Sequence, residues 1–324
     1  MSSRALVGLV LLLAIAATGS PSDAQQATRI PTIGLLTTPT QVSVANLIAA
    51  FREGLRGFGY VEGKTVLLEV RSAGGEVERL PELARELVLS PSANAQAAEL
   101  QVLAGGAIAG SLRELAVQFE RLSGHKLVFR FGTTPELIKL ATAGGPFDLG
   151  VVPREVFKDS AAQAQFASGP TTDIARVGLG VAVHSGAPKP DISTPEALKQ
   201  ALLKAQSIAT IPASAAGAQV VRVFDRLGIS EAMKAKTKTQ TSPAQIVEAV
   251  AKGEAELGVF LLNVLTAPGL DVVGPFPAEL QQEVVFTAAV AANTKEAEAA
   301  KAFITYLTTP AATAVIKAKG MNPG

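Results

Sequence analysis

Strand–turn–helix units follow one another along most of this chain, and four of the turns put small or hydroxyl residues directly before a helix. Those turns are Gly105 to Ala107, Thr133-Thr134, Ala213 to Gly217 and Thr241-Ser242. Alternation of this kind builds mainly parallel sheets with helices on their faces. In an open α/β sheet such turns gather outside the carboxyl ends of the strands. The first N–H groups of each helix have no partner inside it. A cleft lined by them favours an anion, held by backbone and hydroxyl donors rather than by full charges. Ordinary capping accounts for any one such turn; four in one chain point to binding.

The periodicities place the elements. Strands are predicted at Leu100–Leu103, Lys126–Phe131, Asp148–Val152, Val177–Val183, Ile208–Ile211, Leu257–Leu262 and Val284–Ala291. A helix over Ile108–Leu122 brings Leu112, Leu115, Ala116 and Phe119 to one face. Thr134 fits an N-cap with Pro135 at N1, and Thr194-Pro195 and Ser242-Pro243 repeat that pattern. Helices follow at Ala218–Leu227, Ala244–Lys252, Lys295–Leu307 and Pro310–Lys319. Ahead of this unit stands a βαβα piece: strands at Ile33–Leu36 and Thr65–Val70, helices at Ala45–Phe58 and Glu78–Leu89. A polar stretch with Pro91, Ser90 to Gln96, separates the two. Two strands alone cannot bury both faces, so the piece must dock, pair with a copy, or remain poorly ordered.

Arg4 followed by the apolar run Ala5–Ala17 has the length of a signal-peptide core, and Ser22-Asp23-Ala24 supplies a small-residue cleavage site. That run is short of the ~20 residues a membrane-spanning helix needs. The chain has no Cys, so neither a lipid anchor through Cys nor a disulfide is available. Residues 1–24 therefore read as a cleavable leader to the periplasm. The formal net charge of +1 is no footprint of a nucleic-acid binder. Two His, His125 and His184, and no Cys leave no zinc-ligand spacing, and no cofactor is expected.

Two stretches carry family resemblances. NLIAAFREGLRGFGYVEGKTVLLEVRSAGGEVERLPELARELV, residues 46–88, resembles the opening of one family of bacterial ABC-transporter solute-binding proteins. Residues 100–324 resemble the molybdate-binding proteins and their class II relatives. The matching stretches are VLAGGAIAGSLRELAVQFERLSGHKLVFRFGTTPELIKLATAGGPFDLGVVP, TDIARVGLGVAVHSGAPKPDISTPEALKQALL, GEAELGVF and AEAAKAFITYLTTPAATAVIKAKGM. The resemblance implies a two-lobed α/β class II periplasmic-binding-protein fold. Its crossover strands would fall near Val177–Val183 and Val284–Ala291, with a ligand trapped by hinge closure. The expected organisation is a leader (1–24), a βαβα fragment (30–89), a linker (90–98) and a two-lobed domain (99–324). Lobe 1 would comprise about 99–176 and 284–324, and lobe 2 about 177–283.

The resemblance implies a periplasmic receptor for a small anion, a molybdate-like oxyanion or a small organic acid, that serves an ABC importer's membrane permease as a monomer. Its ligand residues map onto Gly106, Ala107, Thr133, Thr134, Ser214, Ala215, Ala216 and Asn263. Molybdate itself is disfavoured. Ala107 stands where molybdate binders carry a serine, Pro243 where they carry a backbone N–H, and Leu261 where they carry a tyrosine. Ser214, Asn263 or Arg154 could rebuild such a site. The competing readings are a fused or decaying receptor with a ligand-sensing role and an enzyme on the same fold. For catalysis there is no Gly-x-Ser-x-Gly and no recognisable Ser/His/Asp set, and Glu254 and Glu256 read as solvated.

Overall fold

The computed structural model describes residues 32–38, 44–62, 65–89 and 97–324. Residues 1–24, expected as a leader, and most of the expected linker lie outside these. Two compact units emerge among the described residues, one from those up to 97 together with 121–124, the other from 98–120 and 125–324. In the first, strand β1 (Thr32–Thr37) and helix α1 (Ala45–Gly57) are followed by β2 (Leu67–Ser72) and α2 (Leu80–Leu89). β1 and β2 pair in parallel, Thr32 opposite Leu67 through Thr37 opposite Ser72. Leu35, Ile48, Val66 and Leu83 are buried, whereas Leu47, Phe58 and Val77 are exposed.

The second unit opens with β3 (Glu99–Gly105), a 3-10 turn at Gly106–Ile108 and α3 (Ala109–Ser123). Then come β4 (Lys126–Gly132), α4 (Thr134–Thr142), β5 (Leu149–Pro153) and the short α5 (Ser160–Gln163). β6 (Thr172–His184) leads to α6 (Pro195–Lys204), β7 (Ile208–Thr210), α7 (Ala215–Leu227), α8 (Ser230–Lys236) and β8 (Thr237–Thr239). α9 (Pro243–Ala251), β9 (Leu257–Leu261), α10 (Leu262–Leu265), β10 (Leu270–Pro275) and β11 (Glu283–Val290) follow. α11 (Ala297–Leu307), α12 (Pro310–Ala318) and β12 (Asn322–Pro323) end it.

These elements form a two-lobed α/β fold around β6. The strand order is β4-β3-β5-β11-β6-β9-β7-β8, with β10 and β12 also paired to β6. β3 pairs in parallel with β4 and β5, and β7 with β8 and β9. The pairs that involve β6 and β11 are antiparallel, so the sheets are mixed rather than mainly parallel. The cause is the double crossing: the chain passes from lobe 1 to lobe 2 along β6 and returns the opposite way through β10 and β11. β6 bonds to β11 over residues 172–178 and to β9 over 179–183. Phe119, Phe303 and Tyr306 pack as an aromatic cluster in lobe 1. Leu179, Val181, Leu198, Val220 and Val223 are fully buried in lobe 2.

His125 sits 9% exposed beside Phe119, and its Nδ1 accepts the Ala98 N–H at 3.1 Å. That bond requires a neutral ring. Burial pushes the imidazole below its ordinary range, against an opposing pull from Glu296. A depressed His contributes stability above its unfolded value of about 6.5 and loses it as pH falls through the folded value. Acidification from about pH 7 to 5 is therefore expected to lower the unfolding midpoint, and less so in His125→Gln. Equal slopes in denaturant titrations would refute this. We further propose that residues 30–89 are an appendage. A chain that starts at Ala98 is expected to fold with an unchanged unfolding midpoint for its main transition; insoluble material would show that the appendage is integral.

Candidate functional site

The loop ends of both lobes converge on one cavity. Gly105 ends β3 and Gly106 and Ala107 follow it, Gly132 ends β4 and Thr133 and Thr134 follow it, and Pro153 ends β5. From the other lobe come Ile211, Ser214, Ala215 and Ala216 after β7, Pro243 after β8, and Phe260 and Leu261 at the end of β9. Val284 and Phe286 of β11 complete the lining. Of the residues predicted from sequence, Gly106, Ala107, Thr133, Thr134, Ser214, Ala215 and Ala216 all lie on this wall. Asn263 does not line it; its Nδ2 donates to the Ala107 carbonyl at 2.7 Å, a bond from α10 to the opposite lobe. Pro243 and Leu261 are present as apolar wall, where molybdate binders would place donors. Phe286, Phe260, Val284 and Pro153 were not legible as site residues, because they sit in apolar strands with no turn signal beside them.

The caps differ in detail from expectation. α4 is capped by Thr133, not Thr134, and Pro135 lies one residue deeper than N1. The reason is Glu136, which stands three residues after Thr133 and completes a capping box. The Thr133 N–H donates to Glu136 Oε2 at 2.7 Å and its hydroxyl at 2.8 Å. The N–H, then the hydroxyl, hold the Glu136 carboxyl below its usual range. Thr134 is left to face the other lobe, where its Oγ1 accepts the Ala215 N–H at 3.0 Å. A hydroxyl that accepts still has a proton to donate.

α7 starts at Ala215, three residues earlier than its apolar pattern suggested, so Ala215 to Gly217 form its first turn. Ser214 is its N-cap. Its Oγ accepts the Gly217 N–H at 3.0 Å and donates to the Ile211 carbonyl at 2.8 Å, so the hydroxyl is committed to the turn. The Ala216 N–H, second in the helix, has no intrahelical partner. α7 thus brings the positive end of its helix dipole, about half a charge, to the cavity wall. Arg154 stays apart from the lining and pairs with Asp173, whose other carboxylate oxygen accepts the Thr287 hydroxyl at 2.8 Å. Burial pushes the Asp173 carboxyl up, and Arg154 and Thr287 more than reverse this, leaving it below the usual range. Glu254 is exposed, and Glu256 accepts the Gln206 N–H at 2.7 Å.

The cavity as it stands is small, about 30 Å³, room for one or two waters. A larger guest needs more room than this cavity offers. No lining residue carries a titratable side chain.

A two-lobed fold with helix N-termini around an interlobe cavity defines a solute-binding class, and comparison with known proteins agrees. Residues 100–322 match the family model of bacterial extracellular solute-binding protein. An aconitate isomerase from Pseudomonas sp is 36% identical over 257 residues, covering 76% of this chain and 97% of that one. The molybdate-binding protein ModA of Azotobacter vinelandii is 32% identical over 232 residues, covering 70% of this chain and 90% of its own. The solved periplasmic molybdate-binding protein of Azotobacter vinelandii superposes with a TM-score of 0.59 at 23% identity, over 68% of this chain and 98% of that chain. This chain belongs to the bacterial extracellular solute-binding proteins, in the ModA-like class.

The first turn of α7 sets a testable limit. A Cβ on Gly217 would stand 1.8 Å from the Ile211 carbonyl oxygen. Gly217→Ala must push the helix start off the Ile211-Pro212 turn, and a cost of about 1–3 kcal/mol is expected in denaturant titration. A variant as stable as the parent would show that this turn yields without cost.

Proposed function

We propose that this protein is the exported receptor of an ABC importer and that its ligand is a small organic acid of the aconitate type. One observation carries the reading: the cavity offers donors at two corners and carbon elsewhere. The donors are the N–H groups of the turn at Gly106-Ala107 and the Ala216 N–H at the start of α7, with the Thr134 hydroxyl, which already accepts the Ala215 N–H, between. Phe260, Leu261, Phe286, Val284, Ile211, Pro153 and Pro243 supply the carbon. A tetrahedral oxyanion spreads charge over all its oxygens, and each one turned to carbon is desolvated without return. A carboxylic acid sets its carboxylates on the donors and its hydrocarbon on the phenylalanines. Residues 1–24 would direct export, and a permease would receive the loaded monomer. Both ligand classes have relatives here, one named for aconitate and one for molybdate; the apolar walls favour the first.

A second reading, isomerase, has the name of that 36% identical relative behind it. Moving a double bond needs a base within reach of the substrate and matched in pKa. Glu136 is the carboxylate bonded to the wall at Thr133, and those bonds make it a weak base. Proton NMR of cis-aconitate incubated with the protein decides the matter, since appearance of the trans isomer would replace the receptor reading.

The receptor reading predicts an order of affinities. Calorimetry should give tighter binding for aconitate or citrate than for molybdate. Thr134→Val keeps the side chain's shape and removes both its bond from Ala215 and one hydrogen bond to a charged ligand, so affinity for the acid should fall about tenfold or more. Nanomolar molybdate binding, or unchanged acid binding in Thr134→Val, would sink the proposal.

A further inference from the structure

β10 and β11 run along the same side of β6, both antiparallel to it. Pairing with β10 ends at Pro275 opposite Gly180, and pairing with β11 begins at Glu283 opposite Gly178. Between them the chain leaves the sheet over residues 276–282. Leu179 is left opposite this excursion, at the point where β6 passes from one lobe's sheet to the other's. Leu179 is fully buried, so its backbone groups on that side need partners.

The side chain of Gln281 supplies them. Its Oε1 accepts the Leu179 N–H at 2.8 Å, and its Nε2 donates to the Leu179 carbonyl at 2.9 Å. The amide imitates a missing strand residue. The Phe276 N–H adds a second donor to the same carbonyl at 3.0 Å. Gly178 makes room: a Cβ there would stand 3.0 Å from Gln281 Cδ.

α7 holds the same excursion from outside. Gln219, Arg222 and Arg226 lie on one helical face at i, i+3 and i+7. Gln219 Nε2 donates to the Glu283 carbonyl at 3.1 Å, and Arg226 Nη2 donates to the Glu279 carbonyl at 2.9 Å. Arg222 Nη2 reaches Gln282 Oε1 at 3.4 Å. The first turn of this helix is cavity wall and its flank clasps the crossover.

We propose that Gln281, acting through Leu179, sets the stiffness of the crossover at residues 276–282 as the lobes open, and that α7 couples the cavity to it. The inference rests on the fold and not on the identity of the ligand. A pivot must be a place where few residues absorb the change in backbone angles. A side-chain amide in place of a ladder residue allows this, because it can rotate about its own torsions while both strands stay paired.

The test uses the full chain without ligand. The absence of cysteine permits clean pairwise spin labelling, here at Lys139→Cys on α4 and Ala235→Cys on α8, both exposed positions. Interlobe distances are read by double electron–electron resonance, beside a thermal melt. Gln281→Ala removes the amide, and Gly178→Ala displaces it while leaving it in place chemically. Each should shift the distance distribution towards longer separations and widen it, whether or not the melting midpoint falls. A lowered midpoint with the parent's distribution would make Gln281 a merely structural residue and overturn the proposal. Loss of fold in both variants would do the same.

Discussion

Everything in the two-lobed unit hangs on the pairing of one long strand. β6 has 13 residues, and its backbone groups cannot be buried unpaired. β11 satisfies one half of it and β9 with β10 the other. This division makes two sheets from one strand and puts the carboxyl ends of the remaining parallel strands face to face. The cavity lies where they meet. Its position is therefore a consequence of where β6 changes partners, and the change at Leu179 is bridged by a side chain rather than by a strand.

The cavity's chemistry follows from the same geometry. Helices that start after parallel strands bring their N-termini to the interlobe space, so positive potential arrives without a Lys or Arg in the lining. Ion pairing is kept elsewhere: Arg154 is bound to Asp173 beside Thr287 on the lobe-1 half of the crossover. Without a full charge, selectivity depends on what surrounds the donors. Here the residues around the donors are largely aromatic and aliphatic.

Much of this could be read from the sequence, and the exceptions have physical causes. The helix starts were legible because Thr194 and Ser242 cap as their Pro-bearing motifs imply. Thr133-Thr134 misled by one residue, since two adjacent threonines both fit a cap and only the reach of Glu136 distinguishes them. The apolar run Val177–Val183 showed half of β6. The other half carries Asp173 and Arg176, and the first of these is held in the sheet by Arg154 and Thr287, partners distant in sequence. β10 and α8 had no clear periodic signal; β10 is irregular, with a register shift between Val272 and Gly274. The role of Gln281 could not be seen at all, because a glutamine that completes a strand looks like any polar loop residue until the strands are in place. Asn263 was expected at the ligand and is found instead with its amide on the Ala107 carbonyl.

That last bond and the one between Thr134 and Ala215 both run directly from lobe to lobe. They bear on how a ligand acts. A ligand shifts an opening equilibrium only by the difference between its affinities for the two states. Contacts that the lobes make with each other favour closure whether or not a ligand is present, so they set the ligand-free balance of open and closed states on which that difference acts. Thr134 lies on both sides of this balance. As an acceptor for Ala215 it closes the cleft, and as a donor it is available to a carboxylate. One hydroxyl at this position is thus part of the lobe-to-lobe contact and of the cavity wall at once, so a guest that takes its proton meets the same side chain that holds the lobes together.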